Sequence, residues 1–339
     1  MSIANAHKNF TACGDIEAET LLARVLLEMK EQLAGTDLCV FLGGSYGRGD
    51  GGVRQDKENG ILYNDLDFFV FARNQSDNAK SLLKEIAGKY AEELKVDVDF
   101  SSVMSVDNIK NNARRLMMQE LKRGYRHVCG EDLLTQYLPE YPAEDLPYSE
   151  ACRLLLNRGM GLLLAGKKIA ERSTATDFIL RNINKAILGA GDAFLIAEKL
   201  YKWNITERLN EINNSNLSSE CKKLYAQAVE FKKSPHRNTP QDLPALWAAV
   251  RDIFKECMEL ICGENCSGIY LKSKKSGEIS LKNLIKYCVK SRTLPLANWQ
   301  YYAMPPVSVL AKDVYQALDN MQLKAIDQSK LYRQWLIFN

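Results

Sequence analysis

Histidine is scarce in this chain, and other parts that common chemistries need are missing. Three histidines occur in 339 residues and His7 lies close to the first residue, so a histidine-centred hydrolase or metal site has few components. No Gly-x-x-x-x-Gly-Lys-Ser/Thr segment exists, which excludes a P-loop. No apolar run approaches the roughly 20 residues that span a bilayer, so no membrane partner is expected. Residues Met1 to Gly14 lack a basic segment leading into an apolar one, which predicts no secretory leader and a cytoplasmic location. Internal repeats and low-complexity tracts are also lacking. Long-range charge is small, +3 from 45 basic and 42 acidic side chains, and argues against a nucleic-acid partner.

Nine cysteines without an export signal read as reduced thiols. Cys257, Cys262 and Cys266 cluster, but they form no paired C-x-x-C and no histidine is near, so they read as core thiols rather than zinc ligands.

The length favours two domains. Helical spacing of Leu21, Leu22, Val25, Leu26 and Met29 predicts a helix over 16–33, and Leu38 to Leu42 reads as a buried strand entering Gly43-Gly44. A second strand is expected over 61–72, a helix over 77–94, a third strand over 94–100 from its period-two alternation, and a helix over 106–123. Pro139, Pro142 and Pro147 then interrupt regular structure. These patterns predict an α+β chain: residues 1–140 as a domain with a small mixed β-sheet flanked by helices, and 148–339 as an all-helical domain. Gly268 to Gly277 reads as a basic, flexible loop.

Chemistry concentrates in Gly43-Gly44-Ser45-Tyr46-Gly47-Arg48-Gly49 and Asn64-Asp65-Leu66-Asp67-Phe68. On a strand, Asp65 and Asp67 project from one face while Leu66 and Phe68 point to the core. Paired like charges call for a cation, and hard carboxylate oxygens suit Mg²⁺, which completes its shell with water and phosphate oxygens. Asp97 and Asp99 repeat the spacing between Val96, Val98 and Phe100, and another carboxylate would complete a two-ion site. Gly43 and Gly44 permit close backbone approach, so their amides, the Ser45 hydroxyl and Arg48 form a candidate phosphate cradle, with the dipole of a helix starting near Ser45. Gly47-x-Gly49-x-x-Gly52 matches a dinucleotide fingerprint in form, but a polar loop rather than a helix follows it.

These residues resemble the DNA polymerase beta nucleotidyltransferase superfamily, whose signature is an hG[GS] turn, an h[DE]h[DE]h strand and a later h[DE]h strand. The resemblance covers about residues 35–135 and implies a nucleotidyltransferase domain with Asp65, Asp67 and Asp97 as the catalytic, metal-binding set, Asp99 standing in reserve. Leu94 to Phe100 and Tyr125 to Gly130 are similar to bacterial aminoglycoside nucleotidyltransferases in particular. The activity implied is Mg²⁺-dependent transfer of a nucleoside monophosphate, AMP from ATP in the simplest case, to a hydroxyl on a small molecule or protein. Basic residues of the second domain, Arg181 and Lys185, are candidates for holding the triphosphate or form a solvated helix face. Asn157-Arg158-Gly159 either lines a cleft or lets helices pack closely. Twenty residues lie between Gly44 and Asp65, more than this family's usual spacing, and the excess loop Gly51 to Gly60 is either a lid or a surface excursion. The rival reading is a silent nucleotide-binding or antitoxin-like partner-binding module.

Overall fold

The computed structural model describes residues 9–54, 60–73, 79–235, 242–292 and 298–338. It is an α+β chain with one mixed four-stranded sheet and many helices. The chain divides into two compact units, Met1–Tyr141 with Glu230–His236, and Pro142–Val229 with Arg237–Asn339. Among the described residues no helix is long and apolar enough to cross a membrane.

In the first unit, α1 (Ile16–Gln32) starts where the Asp15 side chain accepts the Ala18 N–H at 3.0 Å, and Leu22, Val25 and Met29 make its buried stripe. There follow β1 (Cys39–Leu42), α2 (Gly44–Arg48), β2 (Leu66–Phe71), α3 (Ala79–Leu94), β3 (Val98–Phe100), α4 (Val106–Asn111), α5 (Leu116–Arg123), β4 (Arg126–Cys129) and α6 (Leu133–Tyr137). Strand order is β3-β2-β1-β4, with β1 antiparallel to β2 and β4, and β2 parallel to β3 across the α3 connection. Alternation along the strands divides two cores. Val40, Leu42, Leu66, Phe68, Val70 and Val98 face residues of α1 and α3, such as Met29, Ile86 and Tyr90. Cys39, Phe41, Phe69 and Phe71 face Ile109, Met118, Leu121, Leu133 and Leu134 of α4, α5 and α6.

Several expected elements differ. The third strand is shorter than its alternation suggests, because α3 runs to Leu94 and Lys95 closes it in the left-handed region at φ 57°, so extended pairing starts only at Val98. The second strand begins at Leu66. Before it, Tyr63 and Ile61 bond back to Gly52 and Arg54 instead of to the sheet. The helix expected over 106–123 is two, separated where Arg115 is extended (φ −73°, ψ 142°). Arg126–Cys129 form a fourth strand, which the sequence patterns do not predict.

The second unit is helical throughout its described residues: α7 (Tyr148–Ala170), α8 (Thr176–Ala197), α9 (Ile205–Asn214), α10 (Ser219–Lys233), α11 (Leu243–Cys262), α12 (Ile269–Lys275), α13 (Leu281–Ser291), α14 (Trp299–Tyr302), α15 (Pro306–Asp319) and α16 (Lys330–Phe338), the end of α10 grouping with the first unit. The expected loop at 268–277 is therefore α12, anchored by buried Ile269 and Ser273 beneath its lysines. Gly159 lets helices approach: a Cβ there would stand 2.3 Å from Val314 and 3.1 Å from Phe254. Asn157 accepts the Trp335 indole N–H at 3.0 Å. The cysteines are free thiols, and Cys257, Cys262 and Cys266 are buried in the core.

Candidate active site

The β1 strand delivers Gly43 directly beside β2, where the Gly43 N–H bonds the Asp67 carbonyl at 2.8 Å. Gly44 then takes φ +61°, and a Cβ at this position would lie 2.3 Å from Asp67 Oδ2. The Asp67 carboxylate thus rests against the bare Cα of Gly44, an approach that a larger residue would block. Gly43 is equally enclosed, a Cβ there reaching 2.6 Å from Phe69 and 2.9 Å from Leu121. The five-residue α2 follows and ends at Gly49 in the left-handed region. Ser45, on its first turn, is half-buried, and its hydroxyl makes no hydrogen bond among the described residues. Gly43 to Gly47 also fits the Gly-x-Ser-x-Gly pattern of a nucleophile elbow. A triad would require a histidine on Ser45, and none bonds it among the described residues.

The acids follow the alternation into and along β2 and β3. Asp67 pairs in register with Asp99, and the Leu66 N–H bonds the Asp97 carbonyl at 2.9 Å. Asp67, Asp97 and Asp99 are exposed and Asp65 is half-buried, while the intervening Leu66, Val96 and Val98 are buried. Although Asp99 is exposed as a residue, partial desolvation of its carboxyl raises its pKa from the ordinary aspartate value, and the charges of Asp97 and then Asp65 add to this. Asp99, Asp97 and Asp65 consequently belong to one electrostatic group, and Asp67 stands beside Asp99 in strand register. These oxygen-only donors match the preference of Mg²⁺. Among the described residues, no three His, Cys, Asp or Glu side chains stand close enough together to hold an ion as they are placed. No protein-family model and no curated protein matches the chain.

Arg48 is held by ion pairs to Glu120 at 3.4 Å and Asp50 at 3.6 Å, with its stem over Gly124, so contact with a phosphate would compete with existing partners. Arg181 and Lys185 lie one turn apart on α8 of the second unit, both half-buried. Farther along α8, Asp192 receives Arg208 at 3.0 Å and the Tyr225 hydroxyl at 2.7 Å, an internal polar network of that unit.

The residue missed from sequence is Tyr46. It is fully buried, and its hydroxyl donates to the Gly52 carbonyl at 2.8 Å while accepting the N–H groups of Tyr63 at 3.0 Å and Asn64 at 3.2 Å. Burial pushes this phenol well up, so it remains a neutral donor. Asn64 Oδ1 accepts the Gly52 N–H at 2.7 Å and Arg54 Nε donates to the Leu62 carbonyl at 2.8 Å. The two legs of the excursion between Gly44 and Asp65 are therefore laced together, and Tyr46 ties their root to the residue preceding Asp65. Residues 55–59 at the tip lie outside the described residues. Lys232, contributed from far along the chain, bonds Asp50 at 2.7 Å, and Phe231 packs edge-on to Tyr63 at 5.9 Å. An aromatic inside the glycine turn was the available signal for Tyr46. Lys232 gave none, because its partner lies 182 positions away.

Proposed function

We propose that the first unit is a nucleotidyltransferase domain, transferring a nucleoside monophosphate, AMP from ATP in the simplest case, to a hydroxyl of a small molecule or protein with release of pyrophosphate. The observation that carries this reading is the Asp67 carboxylate lying on Gly44 while Asp99 faces it in register. A hard-oxygen donor and the Gly43-Gly44 turn then share one place. Asp65, Asp67 and a third-strand acid would hold Mg²⁺, in a pair of ions, and register favours Asp99 over Asp97 for the third position. Bound Mg²⁺ supplies neutralisation of phosphate charge and a lowered pKa for the attacking hydroxyl. The bare Gly43 and Gly44 let the turn close on Phe69, Leu121 and Asp67, and the Ser45 hydroxyl is suited to donate to a phosphate oxygen. Asp97, beside the register pair, is suited to take the acceptor hydroxyl's proton at its carboxylate.

The test is incubation of the full chain with Mg²⁺, each labelled nucleoside triphosphate and pools of small-molecule and protein acceptors, following pyrophosphate and label. Transfer that falls about a thousandfold in Asp67→Asn is expected, since loss of a metal-holding charge removes several kcal/mol of transition-state stabilisation. Nucleotide binding without transfer to any pool would instead favour the silent module.

A further inference from the structure

In the second unit, α13 presents a row that its own unit leaves uncovered. Leu281, Ile285 and Val289, four residues apart, are 70%, 55% and 72% exposed, and Trp299 of the adjoining α14 is 57% exposed. The opposite side of the helix, through Tyr287, is buried against Tyr302 and Phe338. Immediately beside the aliphatic row runs a second one, Lys282, Lys286 and Lys290, all exposed. Residues 269–292 hold six lysines and one arginine against the single acid Glu278. That acid is turned to other work, accepting the Ser149 N–H at 2.9 Å and the Ser276 hydroxyl at 3.1 Å. Among the described residues Lys282 and Lys290 enter no ion pair, unlike Lys167 and Lys255 of the same unit, which meet Asp327 and Asp319.

We infer that α13 and α14 form a docking surface for an anionic lipid bilayer, lying in its interface without spanning it. Charge complementarity and composition select this occupant. Lysine is depleted, and leucine and valine are uncommon, at the energetic centres of protein–protein interfaces, whereas aliphatics with flanking lysines and a tryptophan are the make-up of interfacial helices. The aliphatic row would enter the acyl boundary, the lysines would meet lipid phosphates, and Trp299 would sit at headgroup depth. Expecting no membrane partner rested on spanning length, which has no bearing on a helix that lies flat.

Co-sedimentation of the full chain with vesicles containing phosphatidylglycerol, and with phosphatidylcholine alone, tests this. Partitioning onto the anionic vesicles is expected to be roughly tenfold stronger and to fall with added salt. Ile285→Ser/Val289→Ser should abolish it, and Lys282→Glu/Lys290→Glu should weaken it by about tenfold or more. Far-UV circular dichroism verifies that these surface variants fold. Equal partitioning on both vesicle types, or no partitioning, overturns the inference. So does a wild-type dimer that Ile285→Ser/Val289→Ser converts to monomer by light scattering, which would make the face a contact between copies. RNA binding lost only in the lysine variant, with vesicles ignored, would overturn it as well.

Discussion

Leading into and along β2, Asp65, Asp67, Phe69 and Phe71 alternate onto one side of the sheet, yet the first two and the last two serve opposite ends. Phe71 is fully buried against Phe41, ring centroids 5.8 Å apart, beneath α4, α5 and α6. Asp67 is exposed and meets the Cα of Gly44. Leu121 marks the changeover, since this side chain of α5 reaches the Gly43 turn. Period-two alternation assigns a residue to a face, but whether that face becomes core or site depends on what lies above it. Over the phenylalanines there are side chains, and over Asp67 there is the backbone of Gly44.

The comparison breaks most visibly by swapping the readouts. Asp67→Asn should cost about a thousandfold in label transfer while leaving the thermal midpoint nearly unmoved. Phe71→Ala should do the reverse, losing about 3–5 kcal/mol of stability in denaturant titration while surviving folded molecules keep their turnover. If Asp67→Asn unfolds the chain and Phe71→Ala silences it without destabilisation, the division of the face is wrong. Gly44→Ala comes next. Its Cβ would meet Asp67 Oδ2 at 2.3 Å on a backbone at φ +61°, so roughly 1–3 kcal/mol of strain and loss of most transfer activity are expected. Wild-type kinetics in Gly44→Ala would show that the turn has room to spare.

Local pattern made the glycine turn, the paired acids and the long helices legible, because alternation and helical spacing are properties of neighbouring residues. Whatever depends on distant pairing was not. The Asp67–Asp99 register requires a parallel crossover through α3, and Lys95 in the left-handed region moves the strand start to Val98 in a way that Lys95-Val96-Asp97 does not announce. Likewise α12 looked like a loop because lysines and flanking glycines dominate it, while its two buried contacts, Ile269 and Ser273, are few. The lacing of residues 50–54 to 60–64 was hidden for the same reason. Tyr46→Phe measures that lacing: removing a hydroxyl that serves three backbone groups should cost about 1–3 kcal/mol and reduce transfer through a looser Asp65. An unchanged midpoint would mean that other groups take over all three bonds.

The smallest expected effect concerns the electrostatics of the acidic half. Because the folded-state pKa of Asp99 lies above its unfolded value, the protonated carboxyl favours the fold, and its contribution is fully present below the ordinary carboxylate range. That contribution is lost as pH rises through the raised folded value, leaving at neutral pH a partly desolvated anion repelled by Asp97 and Asp65. Asp99→Asn should therefore raise the metal-free thermal midpoint near pH 7 and have no such effect below about pH 4, where the wild-type carboxyl already carries its proton. Added Mg²⁺ should raise the wild-type midpoint more at neutral than at acid pH, and less in Asp99→Asn than in the wild type. A midpoint lowered by Asp99→Asn at neutral pH, with an undiminished response to Mg²⁺, would mean that Asp99 neither repels its neighbours nor shares their ion, and would return the third position to Asp97.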